Sequence, residues 1–374
     1  MRPWPKTMRA VEILGDLVAI PSTPGQNNAE WVRYVTDLLT AVGARVNVVP
    51  SPLGDCDGLV ASIGPDVEGG VVLSGHADVV VVTDQHWTSD PFVMREQDGR
   101  LFGRGTADMK GFVACALAMM EEAAALPLTR PLHVAISGDE ETTCQSAISL
   151  ATHVASDLPS VRGVLVGEPT MLRAGHSHKG SYTCVVTVTG RTAHASLPEA
   201  GLSATALAAR LMVWIDDRSA QTSAPETTTF TVGTITGGIA NNIIAQHCQF
   251  EWDIRLSPQD DLEEVIAGLQ AEADRLLAQV HPRVPEARID IARTAFFPGF
   301  YTKTDHEFAQ ECLAASGNNG FDSLPYGTEA GLFQDEGLSV MVMGPGSIDQ
   351  AHTPDEFIEI DQLARCMAQL RALV

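Results

Sequence analysis

The sequence predicts an α/β protein whose sheet is interrupted by a smaller α+β sandwich. Two observations carry this. Strand-like apolar runs alternate with helical patterns over the first half of the 374 residues, and the texture changes near 182 before the α/β pattern resumes near 292. Helices are expected over 7–20 and 28–42, the first amphipathic because Glu12 and Asp16 interrupt its greasy run. Strands follow at 46–49, 59–63 and 71–75, then a helix over 111–125 beginning near Asp108, whose Gly111, Ala114, Ala116 and Ala118 permit close packing on a sheet. Further strands are expected at 132–137 and 163–167. In the inserted stretch, strands at 182–188, 227–235 and 248–255 and helices at 202–217 and 262–280 suit a sandwich; a helix at 306–315, a strand at 339–343 and a helix at 361–373 complete the first domain.

The chain carries 24 basic and 47 acidic residues, hence 24 − 47 = −23, which argues against a protein that tracks nucleic-acid phosphates. No apolar stretch is long enough to span a bilayer, so no membrane partner is expected. Seven scattered cysteines without a CxxC pair read as buried thiols of a cytoplasmic protein.

Acidic residues and histidines recur just after apolar runs: His76 and Asp78 after 71–75, Asp139, Glu140 and Glu141 after 134–138, Glu168 after 164–167, and His352 beyond 340–344. In an open α/β sheet such strand ends converge on one crevice. Histidine and carboxylate without thiolate suit a catalytic divalent ion. Two histidines and three carboxylates exceed one open site and suffice for two ions about 3.5–4 Å apart. His76 and Asp78, two apart on a strand end, share a face, so Asp78 can accept the imidazole's second N–H. Adjacent Glu140 and Glu141 point apart, letting one bind metal while the other acts as a base. An acidic cluster at a helix start equally serves the helix dipole, and Asp139 fits that role. GRGTADMKG (103–111) lacks phosphate-loop spacing, and its Asp108 suits a metal ligand better.

SGHADVV (74–80), GRGTADMKGF (103–112), SGDEET (137–142), GEPT (167–170) and QAHTPDEF (350–357) together resemble the acetylornithine deacetylase and succinyl-diaminopimelate desuccinylase family, within the co-catalytic zinc hydrolases that include aminoacylases and carboxypeptidase G. The resemblance implies a zinc-peptidase-like mixed sheet flanked by helices, with residues 1–181 and 292–374 as the metal-binding catalytic domain and 182–291 as a lid and dimerisation domain. It implies that His76, Asp108 and Glu168 hold one zinc, that Asp108 bridges to a second held by Glu141 and His352, that Glu140 is the general acid/base and that Asp78 orients His76. It also implies a cis peptide at Asp108–Met109. GRTAHAS (190–196) resembles the segment whose histidine, here His194, reaches a partner subunit's active site; a turn or interface role suits His194 equally. Asn241, Asn242 and Arg255 resemble lid residues that touch substrate, Arg255 as a carboxylate clamp or, alternatively, a strand-end salt bridge.

YGTEAG (326–331), with Gly327 and Thr328 read as substrate-binding, and GPGSIDQAH (344–352) are most similar to the acetylornithine deacetylase branch. That implies a cytoplasmic homodimer removing acetate from N-acetyl-L-ornithine in arginine biosynthesis. The metal expected is zinc, with cobalt or manganese accepted by the same ligands. Ala77, Thr353 and the run 81–84 depart from the branch pattern, which leaves other N-acyl amino acids open: N-succinyl-diaminopimelate, N-acetylcitrulline or a neutral N-acetyl amino acid. An aminopeptidase or dipeptidase with the same metal pair is a further alternative; it needs a group for a free N-terminus, and none stands out.

Overall fold

The computed structural model describes residues 9–219 and 227–374. The apolar runs form strands, mostly one or two residues longer than their greasy centres. The run at 71–75 becomes Val71–His76, and that at 163–167 becomes Gly163–Pro169. The first helix is described over Arg9–Val18; the expected start at 7–8 lies outside the described residues.

Contacts divide the chain into two compact units. The first takes the chain up to Ser177, Phe300–Leu324 and Thr328–Val374; the second takes His178–Gly299 and Pro325–Gly327. The second is wider than the stretch 182–291 because its outer strand, Arg288–Phe297, pairs with Gly180–Thr189 all the way to Phe297 and Ser181.

The first unit is built on a mixed nine-stranded sheet. Its order runs Arg45–Val49, Gly58–Ile63, Leu132–Ser137, Val71–His76, Gly163–Pro169, Val340–Gly344, Gly175–His178 and Phe300–Tyr301, with Asp322–Leu324 beside Gly175–His178. The four strands from Leu132–Ser137 to Val340–Gly344 are parallel; antiparallel pairs flank them. They are buried throughout, which explains their unbroken apolar sequence. Successive parallel strands add on opposite sides of Val71–His76, so the order reverses there, and the carboxyl end of that strand is where such sheets bind ligands. Helix Lys110–Ala123, buried on nearly every side, packs on this strand and against Arg9–Val18 and Ile360–Leu373.

Close backbone approach holds two of these strand ends together. A Cβ on Gly344 would lie 1.9 Å from the Gly167 carbonyl oxygen. Main chain cannot rotate away as a side chain can, so Gly344→Ala is expected to destabilise the fold by about 3 kcal/mol or more in urea unfolding. An unchanged midpoint would show that the strands can separate at no cost.

The second unit is an antiparallel sheet in the order Thr229–Gly237, His247–Leu256, Gly180–Thr189, Arg288–Phe297. Alternation is strict along Gly180–Thr189, where Tyr182, Cys184, Val186 and Val188 point inward. They meet Leu207, Leu211 and Ile215 of helix Ala204–Ser219 and Leu269, Ala273 and Leu276 of helix Leu262–Val280. The opposite sheet face carries polar residues such as Thr183, Asp253 and Arg255.

Candidate metal centre

The parallel strands deliver their ligands at one end of the sheet. His76 is the last residue of Val71–His76 and is fully buried. Its Nδ1 lies 2.9 Å from the backbone oxygen of Asp78. Donating there leaves the Nε2 lone pair facing Asp108 Oδ1 at 3.1 Å and Glu168 Oε1 at 3.6 Å. Acceptors facing acceptors require a proton or a cation between them. One ligand atom each from His76, Asp108 and Glu168 falls within a 4.8 Å group, and Asp108, Glu141 and His352 form a second such group. His352 Nε2 stands 3.0 Å from Glu141 and 3.3 Å from Asp108 Oδ2. Asp108 is common to both groups, with one oxygen toward each histidine.

The electrostatics point the same way. Burial, reinforced by neighbouring carboxylates, pushes Glu140 and Glu168 well above the ordinary carboxylate range, and Glu141 upward too. Asp108, despite burial, is held below its usual value by His352 and His76. Hydrogen bonds to Asp108 and Glu141 raise His352 to about 10. Against the penalty of burial, Asp108 and Asp78 raise His76 well above the usual imidazole value. Crowded carboxylates of this kind are relieved by positive charge. A nitrogen and oxygen donor set without thiolate fits divalent cations such as zinc.

Asp78 does more than orient His76. Its carboxylate stands 3.5 Å from His76 Nδ1, and its two oxygens accept the backbone N–H groups of Glu140 at 3.0 Å and Glu141 at 2.9 Å. The carbonyl of Asp78, not the carboxylate, takes the shorter hydrogen bond from His76, because the carboxylate is engaged by the turn that carries the two glutamates. Asp139 fills the capping role: its oxygens accept the N–H groups of Gln145 and Ser146, each at 2.9 Å, at the start of helix Gln145–Asp157. That frees Glu140, whose carboxylate no hydrogen bond or ion pair engages among the described residues.

Sequence reasoning passed over two buried carboxylates. Glu329 accepts the hydroxyls of Ser74 at 2.6 Å and Ser137 at 2.8 Å, joining the ends of two parallel strands beneath the site. Glu356 accepts four donors in the loop that carries Asp108 and in Arg104. Both lie inside motifs already singled out, YGTEAG and QAHTPDEF. An acidic residue amid a motif but outside the ligand set was the available signal.

Of the expected substrate residues, His194, Asn241, Asn242, Arg255 and Gly327 lie in the second unit and Thr328 in the first. His194 bridges to Ile243, and Ala195 N–H donates to the Asn242 carbonyl at 2.9 Å, so the His194 and Asn241–Asn242 segments sit together. His194 Nδ1 accepts the Ser196 N–H at 3.2 Å, which places the neutral ring's proton on Nε2 as a donor. Arg255 pairs with Asp253 at 2.9 Å, the strand-end salt bridge that sequence left open for it. A Cβ on Gly327 would lie 3.0 Å from the Phe297 ring. Thr328 is fully buried, its hydroxyl accepting the Ala330 N–H at 3.1 Å at the head of helix Ala330–Asp335. The Asp108–Met109 peptide is cis.

A doubly wound sheet ending in candidate His and carboxylate ligand groups, beside a glutamate unengaged among the described residues, has the make-up of a metal-dependent hydrolase. The family model "Peptidase family M20/M25/M40" matches residues 72–374, and the chain belongs to that family. It is 32% identical to an acetylornithine deacetylase of Photorhabdus laumondii over 94% of this chain and 92% of the relative, and 34% identical to one of Salmonella typhimurium over 93% and 92%. Among solved structures it resembles a Staphylococcus aureus tripeptidase (TM-score 0.76, 20% identity, 98% and 97% covered). A dinuclear metal-binding M20 peptidase of Bacillus subtilis is also similar (TM-score 0.70, 14% identity, 98% and 96% covered).

Proposed function

We propose that this chain removes the acyl group from an N-acyl amino acid, with N-acetyl-L-ornithine as substrate, using two zinc ions. The carrying observation is the pair of ligand groups sharing Asp108, with the Glu140 carboxylate, unengaged among the described residues, on the turn beside them. The relatives of matching length support the substrate. His76, Asp108 and Glu168 would hold one ion, and Asp108, Glu141 and His352 the other. Such a pair, when bound, would supply a Lewis acid for the scissile carbonyl and lower the pKa of water.

Glu140 takes the proton of the attacking water and passes it to the leaving amine nitrogen. Asp78 fixes the turn on which Glu140 stands. His194, a donor at Nε2, is assigned to the developing oxyanion across a homodimer formed by the inserted domain, 182–291, with 1–181 and 292–374 as the catalytic domain. Asn241, Asn242, Gly327 and Thr328 are assigned to substrate binding. Arg255 is assigned to the substrate's carboxylate, which requires it to exchange its Asp253 partner. The reading places the enzyme in the cytoplasm, in arginine synthesis.

Initial rates of amine release test the substrate. N-acetyl-L-ornithine is expected to lead N-acetylcitrulline, N-acetylmethionine, N-succinyl-diaminopimelate and a dipeptide, with turnover lost on chelation and restored by zinc. A different leading acyl amino acid would discard the named substrate and keep the chemistry; a leading dipeptide would make the protein a peptidase.

A further inference from the structure

The two ligand groups are supported differently. His76 and Glu168 lie on buried central strands, whereas Asp108 and His352 lie on loops. His352 has a positive φ of 62° and Asp355 one of 54°, a backbone region uncommon for non-glycine residues. Groups outside the ligands hold these loops.

Glu356 is their centre. It is wholly buried, and both its oxygens are fully used. Oε1 accepts the N–H groups of Ala107 at 2.8 Å and Asp108 at 3.1 Å; Oε2 accepts Gly105 N–H and Arg104 Nη1, both at 2.8 Å. Arg104, 1% exposed, also donates to the Thr353 carbonyl at 3.3 Å and stacks on Trp87 at 5.0 Å. Its Nη2 donates to Gln85 Oε1, and Gln85 Nε2 donates to the His352 carbonyl at 2.9 Å. Thr88 fixes Asp355 through its N–H at 3.0 Å and its hydroxyl at 2.9 Å. One hydrogen-bonded cluster thus grips the main chain of both ligand loops and touches neither ligand's side chain.

We propose that Glu356, Arg104 and Gln85 are positioning residues that set Asp108 and His352 for the second ion, leaving the first ion to the sheet. The proposal rests on the two-ion reading above. It requires the second ion's affinity to depend on the cluster more than the first's. His76 and Glu168 keep their places when the cluster is damaged. Asp108, shared by both groups, keeps one contact with the sheet, Oδ1 to His76 at 3.1 Å, whereas its other oxygen faces His352, whose loop the cluster also holds.

The test is calorimetric titration of zinc into chelator-stripped protein, beside cobalt absorption spectra and thermal melting. Wild type is expected to take two ions per chain in separable steps; a single step of one ion would refute the two-ion reading itself. Glu356→Gln places an amide donor against N–H donors. It is expected to weaken the second step by about 10–100-fold while the first moves little. If both steps are unchanged, or both weaken alike together with the melting temperature, the cluster is structural only and the proposal fails. Gln85→Ala removes the hold on the His352 carbonyl and the acceptor of Arg104 and Trp87, but leaves Glu356 and its four donors in place, and so reads the same question should Glu356→Gln not fold. It is expected to weaken the second step about tenfold at unchanged melting temperature, and an unchanged second step overturns the proposal.

Discussion

Glu140→Gln is expected to lower turnover by about 10²–10⁴-fold while leaving ion binding intact. The Glu140 carboxylate has no hydrogen-bond partner to lose among the described residues, and glutamine fills the same volume. The main-chain N–H of residue 140 still donates to Asp78, so the turn that carries Glu141 stays in place. Loss of rate without loss of metal is therefore the signature of a base. Near-normal turnover in this variant would remove Glu140 from the chemistry.

Asp108→Ala is expected to have the widest effect, because one side chain serves both ligand groups. Its Oδ1 faces His76 at 3.1 Å and its Oδ2 faces His352 at 3.3 Å. Its backbone N–H stays on Glu356, so the loop keeps an anchor. Zinc at a hundredfold excess over Kd stabilises a protein that binds it by about 2.7 kcal/mol per site. Thermal melting should therefore show wild type rising with zinc and the variant not responding. A variant that still gains stability and carries two ions would show that Asp108 is not shared.

The two groups of histidine and carboxylate that the structure gathers could be named from the sequence because metal-ligand chemistry restricts residue type and because strand ends announce themselves through apolar runs. The supporting carboxylates were not legible. Glu356 bonds main-chain groups about 250 positions away, and Glu329 bonds Ser74 255 positions away; no periodicity marks such partners. Helix Gln145–Asp157 was implied only through the capping role of Asp139, and its span went unread for a related reason. Its QSAISLATHVASD sequence is rich in serine, threonine and β-branched residues, weak helix formers, and its start is fixed from outside by Asp139. The short strands Arg95–Gln97 and Arg100–Phe102 are too brief to show alternation, yet their turn was readable: Asp98 and Gly99, at φ 52° and 78°, form the Asp-Gly hairpin turn that two-residue connections favour.

The order of strands in the first unit has a consequence for synthesis. Val340–Gly344 pairs with Gly163–Pro169 in the sheet but emerges from the ribosome some 170 residues later, after the whole second unit. Until then Gly163–Pro169, buried on both faces in the finished fold, presents an open apolar edge able to recruit strands of other nascent chains. The first candidate ligand group, His76, Asp108 and Glu168, precedes that gap, whereas His352 of the second follows it. The nascent chain can therefore gather the first group while it still lacks the second, and its most aggregation-prone interval falls between the two.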